Sequence, residues 1–157
     1  MQGEIHSINI SGSGGVPKLP IKEVFVRFEG VEGDFNRFRM EKKGGDIRRA
    51  ISIFSLERIV QLQEEGHPID IGTAGENFTI EGIDWTRLGV GMTIKLGSAI
   101  IRLSEPCAPC SKIGRSFIEN KFSRIDQNKR EGWSRWSASV IEEGSVSVGD
   151  AVYFEET

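Results

Sequence analysis

The chain has 157 residues, 38% hydrophobic and 27% charged, with a net charge of −3. That length suits one domain over residues 1–157, able to bury its own core without covalent staples. No apolar run approaches the roughly 18 residues of a membrane-spanning helix, and the mild acidity argues against general nucleic-acid binding. The N-terminal MQGEIHSINI alternates polar and apolar residues and has no basic flank before an apolar run, so it does not read as a signal peptide. With only two cysteines, a reducing cytoplasm is the expected compartment.

In chain order, Glu4–Ile10 reads as a first strand, broken by SGSGG, and Val24–Phe28 as a second, closed by Gly30. A long polar, glycine-rich loop follows, then a short buried strand, Ala50–Phe54. Ser55 is a helix N-cap, Leu56, Ile59, Val60 and Leu62 form an apolar stripe, and Gly66 stops that helix. Asn77–Ile80, Thr93–Leu96 and Ala99–Leu103 read as strands, the last two joined by a two-residue Gly97-Ser98 hairpin. Ser111 caps a second predicted helix with Ile113, Phe117 and Ile118 on one face, and Ser137–Ile141 and Ala151–Phe154 complete the strands. The stretches Leu88–Ile94 and Val146–Val152 each set a glycine turn before a strand, as at similar barrel corners. Many short strands and about two short helices, without regular alternation, predict a mainly β protein: a closed or nearly closed, mostly antiparallel barrel.

The charge is uneven. Residues 37–49 carry six bases (Arg37, Arg39, Lys42, Lys43, Arg48, Arg49) against two acids. Residues 111–136 carry seven (Lys112, Arg115, Lys121, Arg124, Lys129, Arg130, Arg135) against three. If the two segments met they would form a basic pocket for an anion; otherwise they are solvated loops. The segment Trp133-Ser134-Arg135-Trp136 is either a flap that stacks on a flat ligand or a tryptophan pair packing a barrel end.

Both cysteines lie in SEPCAPCSKI, as Cys107 and Cys110. A disulfide between them would close a tiny loop and add little stability. A structural zinc site needs four ligands, and His6 and His67 lack the spacing to complete one. His67, next to Pro68 at a helix end, reads as a surface residue. A thioredoxin-type pair has the right spacing but belongs to a βαβ setting. One reactive thiolate is the fourth option. Cys110, just before the predicted helix and followed by Lys112 and Arg115, has the surroundings that favour thiolate over thiol. The alternative for either cysteine is a small buried apolar residue, the commoner role of a lone cysteine. Since no histidine base is placed beside them, a thiolate here is better suited to binding a metal centre than to attacking a substrate.

In order, the motifs GVEGDFNRFR, KKGGDIRRAISIFSLE, GTAGENFTIEGIDWTRLGVGMTIKLGSAIIRLSEPCAPC and REGWSRWSASVIEEGSVSVGD resemble the MOSC domain family, named for the C-terminal part of molybdenum cofactor sulfurase. The likeness runs from Gly3 to Phe154. It implies a distinctive β-barrel that binds the molybdenum cofactor, a pterin dithiolene with an anionic phosphate. In enzymatic relatives a cysteine ligates molybdenum and N-hydroxylated bases, amidoximes or related N–O compounds are reduced. The resemblance places Cys110 at that metal-ligating, catalytic position, and matches Gly75, Glu76, Asn77 and Thr79 to the family's G-E-N segment. Arg48, Arg49, Arg115 and Arg135, with Lys112, become the candidates for the cofactor's anionic end. Gly33-Asp34 matches the family's G-D, as a turn or a ligand contact, and Gly149-Asp150 reads as a barrel corner. Where many members carry arginine two or three residues before the cysteine, this chain carries Cys107; where many carry histidine after G-D, it carries Phe35-Asn36. Without a ferredoxin-like cysteine cluster, electrons would come from a separate donor protein. An alternative is a carrier that holds the cofactor, or sulfur on Cys110, without turnover of its own. A third is an inert barrel with an interaction role.

Overall fold

The computed structural model describes residues 1–35 and 44–155. Alternating burial along short segments rich in Ile, Val and Phe produces eleven strands among the described residues. They are β1 (Gln2–Ile10), β2 (Leu19–Ile21), β3 (Glu23–Arg27), β4 (Gly30–Val31), β5 (Ile51–Ser55) and β6 (Phe78–Glu81). The C-terminal half adds β7 (Thr93–Leu96), β8 (Ala99–Pro106), β9 (Trp136–Glu142), β10 (Gly144–Ser147) and β11 (Ala151–Glu155).

Seven of these strands close on themselves in the order β11-β7-β8-β9-β5-β6-β1 and back to β11, with β2 added outside on β1. Closure is made by Gln2, Gly3 and Glu4 pairing antiparallel with Tyr153, Val152 and Ala151. Every barrel pairing is antiparallel except β5 with β6, which are linked through the α-helix Leu56–Glu64. Closure leaves the ring without free edges, and its inward residues, including Ile5, Ile53, Ile80, Ile94, Ile101 and Phe154, form the core. The remaining strands make a small sheet, β10-β3-β4, whose Val24, Val26, Val31 and Val146 are buried.

Local chemistry agrees with these elements. The Gly97-Ser98 hairpin forms as predicted, with Leu96 opposite Ala99 and Gly97 at φ +57°. Ser55 Oγ accepts the Arg58 N–H at 3.1 Å, capping the helix, which buries Ile59 and Leu62 but leaves Val60 exposed. Gly66, at φ +97°, ends the helix in the left-handed region, and the His67 N–H returns to the Leu62 carbonyl at 3.1 Å. At the corner before β11, the Gly149 N–H donates to the Ile5 carbonyl and Asp150 accepts the Ser147 N–H, both at 2.8 Å.

The second predicted helix takes a different form. The run Ser111–Ser116 is 3-10, followed by two shorter 3-10 pieces, Ile118–Asn120 and Phe122–Ile125. Cys110 occupies the cap position, and no side chain caps the turn. Gly114 within the run, and Glu119 and Asn120 at φ +52° and +57°, prevent a regular α-helix. Such a short run sustains little dipole, so a helix terminus contributes little at Cys110. Among the described residues no helix is long and apolar enough to cross a membrane.

Ile80 is fully buried in β6. Ile80→Ala is expected to lower the unfolding free energy by about 2–5 kcal/mol in urea titrations, because a barrel interior cannot collapse around the void. Val60→Ala, on the exposed helix face, is the control and is expected to change stability by no more than about 0.5 kcal/mol.

Candidate functional site

A pocket of about 590 Å³ opens where the β8–β9 end of the barrel meets the loop before β2 and the loop before β6. That volume falls in the range of roughly 300–1,000 Å³ typical of small-molecule sites. Both cysteines line it. So do Lys18, Arg49, Lys112 and Arg135, and among the described residues no carboxylate lines it. Val16, Phe35, Ala74, Pro109 and Ile113 supply apolar wall.

Each side chain has a local reason to be there. Irregular register between β8 and β9 ends with Pro106 opposite Trp136, and the Cys107 N–H then donates to the Arg135 carbonyl at 2.8 Å. This contact holds the start of the cysteine loop against β9, and bulged strand ends commonly re-aim side chains in this way. Cys107 is half-buried with Sγ 3.1 Å from Ser137 Oγ, whereas Cys110 is exposed. Arg49 closes a 3-10 turn, Ile47–Arg49, capped by Asp46, and its guanidinium meets Glu105 at 2.8 Å. Arg135 donates from Nη1 to the Ala74 carbonyl at 2.9 Å; its buried Nε has no hydrogen-bond partner among the described residues.

Arg49 from the first basic segment and Lys112 and Arg135 from the second meet at this pocket. Arg48 does not join them. It is exposed and holds Asp46, whose carboxyl is kept below its ordinary range chiefly by the Arg48 hydrogen bond. Arg115 is also exposed and outside the lining. Arg37, Arg39, Lys42, Lys43 and Asn36 lie outside the described residues.

Of the G-E-N segment, Gly75 lines the pocket at φ +85°, a conformation that disfavours any side chain. Glu76, Asn77 and Thr79 stand behind it, all buried. Asn77 Oδ1 accepts the Ser52 N–H at 3.1 Å, and its amide donates to Asp34 at 3.0 Å. Thr79 donates to Glu76 at 3.1 Å and accepts from Asn9 at 3.1 Å. Asp34 is more than a turn residue: its carboxylate also accepts the Ser11 N–H at 2.8 Å and the Lys18 ammonium at 2.7 Å. Sequence reasoning did not single out Lys18. It is 7% exposed, and nothing in the run GGVPKLPI distinguishes a buried lysine from a solvated one.

Neither histidine enters the pocket. His67 is structural: Nδ1 accepts the Ile118 N–H at 3.1 Å and the ring packs edge-on against Phe117, so its expected surface role gives way to support of the 3-10 segment. The tryptophans pack the barrel. Trp133 lies between the guanidinium groups of Arg58 and Arg124, at 4.1 and 3.8 Å, and Trp136 is buried. Trp85 Nε1 donates to the Ser134 carbonyl at 2.7 Å, which fixes the same segment.

A closed seven-stranded barrel bearing a thiol-and-cation pocket defines the class of protein. The MOSC domain family matches residues 33–153, and the chain belongs to it. The chain is similar to "Uncharacterized protein YflK" of Bacillus subtilis, with 27% identity over 138 residues, 86% of this chain and 60% of that protein. It is similar to "Protein YiiM" of Escherichia coli at 25% identity, covering 92% of this chain and 65% of that protein. The chain thus spans less than two thirds of these relatives' length. Among solved structures, YiiM from Geobacillus stearothermophilus superposes with a TM-score of 0.74 at 26% identity, over 98% of this chain and 75% of that one. The YuaD protein of Bacillus subtilis superposes with a TM-score of 0.76 at 20% identity, over 100% of this chain and 97% of that one, and shows likeness of fold alone.

Burial pushes the Glu76 carboxyl above its ordinary value of 4.5, against the opposing hydrogen bonds and the charge of Arg135. A raised folded value means that the folded chain binds the proton more tightly than the unfolded one. Stability is therefore lost as pH rises from the unfolded value through the folded one. Glu76→Gln removes this penalty. Chemical unfolding across pH 4–8 (roughly spanning carboxyl titration) should show the variant's stability rising relative to wild type with pH, then levelling; a difference that does not vary with pH would contradict the assignment.

Proposed function

We propose that the chain binds the molybdenum cofactor in this pocket and works as an oxidoreductase that reduces N-hydroxylated small molecules. The observation that carries the reading is an exposed thiol, Cys110, in a pocket whose charged lining among the described residues is basic. Membership of the MOSC family supports it.

The residues present fit such a group. A thiolate is a soft ligand suited to a metal centre. Guanidinium groups pair with phosphate in a fork, and the Arg135 Nε has no acceptor among the described residues. In this reading Cys110 ligates molybdenum, and Arg49, Lys112 and Arg135 hold the anionic end. Gly75 admits close backbone approach, while Glu76, Asn77 and Thr79 fix that loop from behind. Arg48 and Arg115 stand outside the grip. When bound, the cofactor supplies two-electron redox chemistry at the metal. The chain's own part is to hold and orient the group and, through its apolar wall, to limit water. A separate protein donates electrons, the working compartment is the cytoplasm, and neither nucleic acid nor membrane is a partner.

A second reading is a carrier that holds the cofactor, or sulfur on Cys110, without turnover. The second thiol in the same pocket favours it. The two separate in an assay of cofactor-loaded protein with an aryl amidoxime and a reduced viologen dye. The enzyme reading predicts amidine formation that falls in Cys110→Ser by more than the roughly 10–100-fold typical of losing an outer-shell partner. Loaded protein that turns over no N–O compound would favour the carrier.

A further inference from the structure

Cys107 and Cys110 face one pocket, yet they differ in every local respect. Cys110 is exposed, and no side-chain hydrogen bond ties it to the turn that it begins. Cys107 is half-buried, with its backbone N–H on the Arg135 carbonyl and its sulfur beside Ser137 Oγ. The two residues between them, Ala108 and Pro109, also line the pocket, so all four residues border the same space. Residues 107–110 belong to no helix or strand after β8 ends at Pro106, and Pro109 has no N–H to anchor it. One partner is fixed and shielded, the other is open, and the link between them is short and irregular.

We infer that Cys110 is a site of reversible oxidation by hydroperoxides and that Cys107 is the thiol that resolves it. In the first step the Cys110 sulfur attacks a peroxide oxygen. An S–O bond forms, the O–O bond breaks, and the leaving oxygen departs as water or an alcohol with the thiol's proton. Sulfur is oxidised by two electrons and the peroxide is reduced by two, giving a sulfenic acid. In the second step the Cys107 sulfur attacks that of Cys110. An S–S bond forms, the S–O bond breaks, and hydroxide leaves as water with the proton of Cys107. Two thiols and one peroxide thus become one disulfide, one water and one further water or alcohol. A disulfide requires the two Cα atoms to come within about 4.4–6.8 Å, which the irregular 107–110 link can reach by tightening into a turn. A low-molecular-weight dithiol reverses the bond by exchange. The role of Cys107 is to stop oxidation before the irreversible sulfinic stage.

The chemistry concerns the cofactor-free chain and does not require metal. Only its consequence, that a disulfide keeps Cys110 from ligating, rests on the proposed function.

The test treats cofactor-free protein with hydrogen peroxide and reads intact mass. Wild type is expected to lose two hydrogens and to regain them with dithiothreitol, and peptide mapping is expected to join Cys107 to Cys110 within one chain. Cys107→Ser and Cys107→Ala are expected to gain one oxygen and then two or three, whereas Cys110→Ser keeps its reduced mass over the same exposure. Circular dichroism of each variant checks the fold, and the wild-type peptide map stands without any variant. Wild type that gains two oxygens as fast as Cys107→Ser, a disulfide between two chains, or Cys110→Ser oxidised as fast as wild type would each overturn the inference. Because molybdenum is not read, failure of the cofactor reading leaves this result unaffected.

Discussion

The Asp34 carboxylate is the contact on which the pocket depends. It accepts the buried Lys18 ammonium, the Asn77 amide and the Ser11 N–H, and so ties together three stretches distant in sequence. Desolvating such a pair is costly, and its attraction offsets the cost only when the remaining polar groups are satisfied. Here they are shared: Asn77 passes the network on to Ser52 and Asn9, and the Lys18 N–H binds the Gly72 carbonyl at 2.9 Å. Gly72 has no room for a Cβ against the Lys18 carbonyl, so the two loops are pressed backbone to backbone. Without Asp34 a buried ammonium would lose its counter-charge, and the loop that carries Gly75 would lose its anchor.

That network explains how a barrel with an apolar interior presents a cationic mouth. Strand pairing supplies rigidity, and the irregular segments at one end supply chemistry. Two of the pocket's cations are balanced by carboxylates outside its lining, Lys18 by Asp34 and Arg49 by Glu105. Arg135 has the buried Glu76 as its nearby acid, but burial disfavours ionisation of that carboxyl.

Much of this was legible in the sequence, and the gaps have physical causes. The Gly97-Ser98 hairpin, the Ser55 cap and the alternating strands depend on near neighbours, and they form where the pattern placed them. β2 and β10 were missed because three- and four-residue strands carry too little periodicity, and their pairing partners lie far along the chain. The segment after Cys110 has a helix-like apolar spacing, but Gly114 and the left-handed Glu119 and Asn120 turn it into 3-10 pieces. The convergence of Arg49, Lys112 and Arg135 is a property of barrel closure, which no local window contains. Arg48 and Arg49 are adjacent in sequence, and only the cap made by Asp46 decides which one turns outward. Lys18 is the clearest omission: its buried charge is matched by a carboxylate 16 residues away.

The central claim is that this pocket takes a molybdenum-bearing, anionic pterin through Cys110. The most direct measurement is the molybdenum and oxidised-pterin content of wild type, Cys107→Ser and Cys110→Ser purified from a host that makes the cofactor. The account predicts stoichiometric molybdenum and pterin in wild type and Cys107→Ser, with molybdenum lost only from Cys110→Ser. Wild type free of both, from a host shown to load a control enzyme, would contradict it.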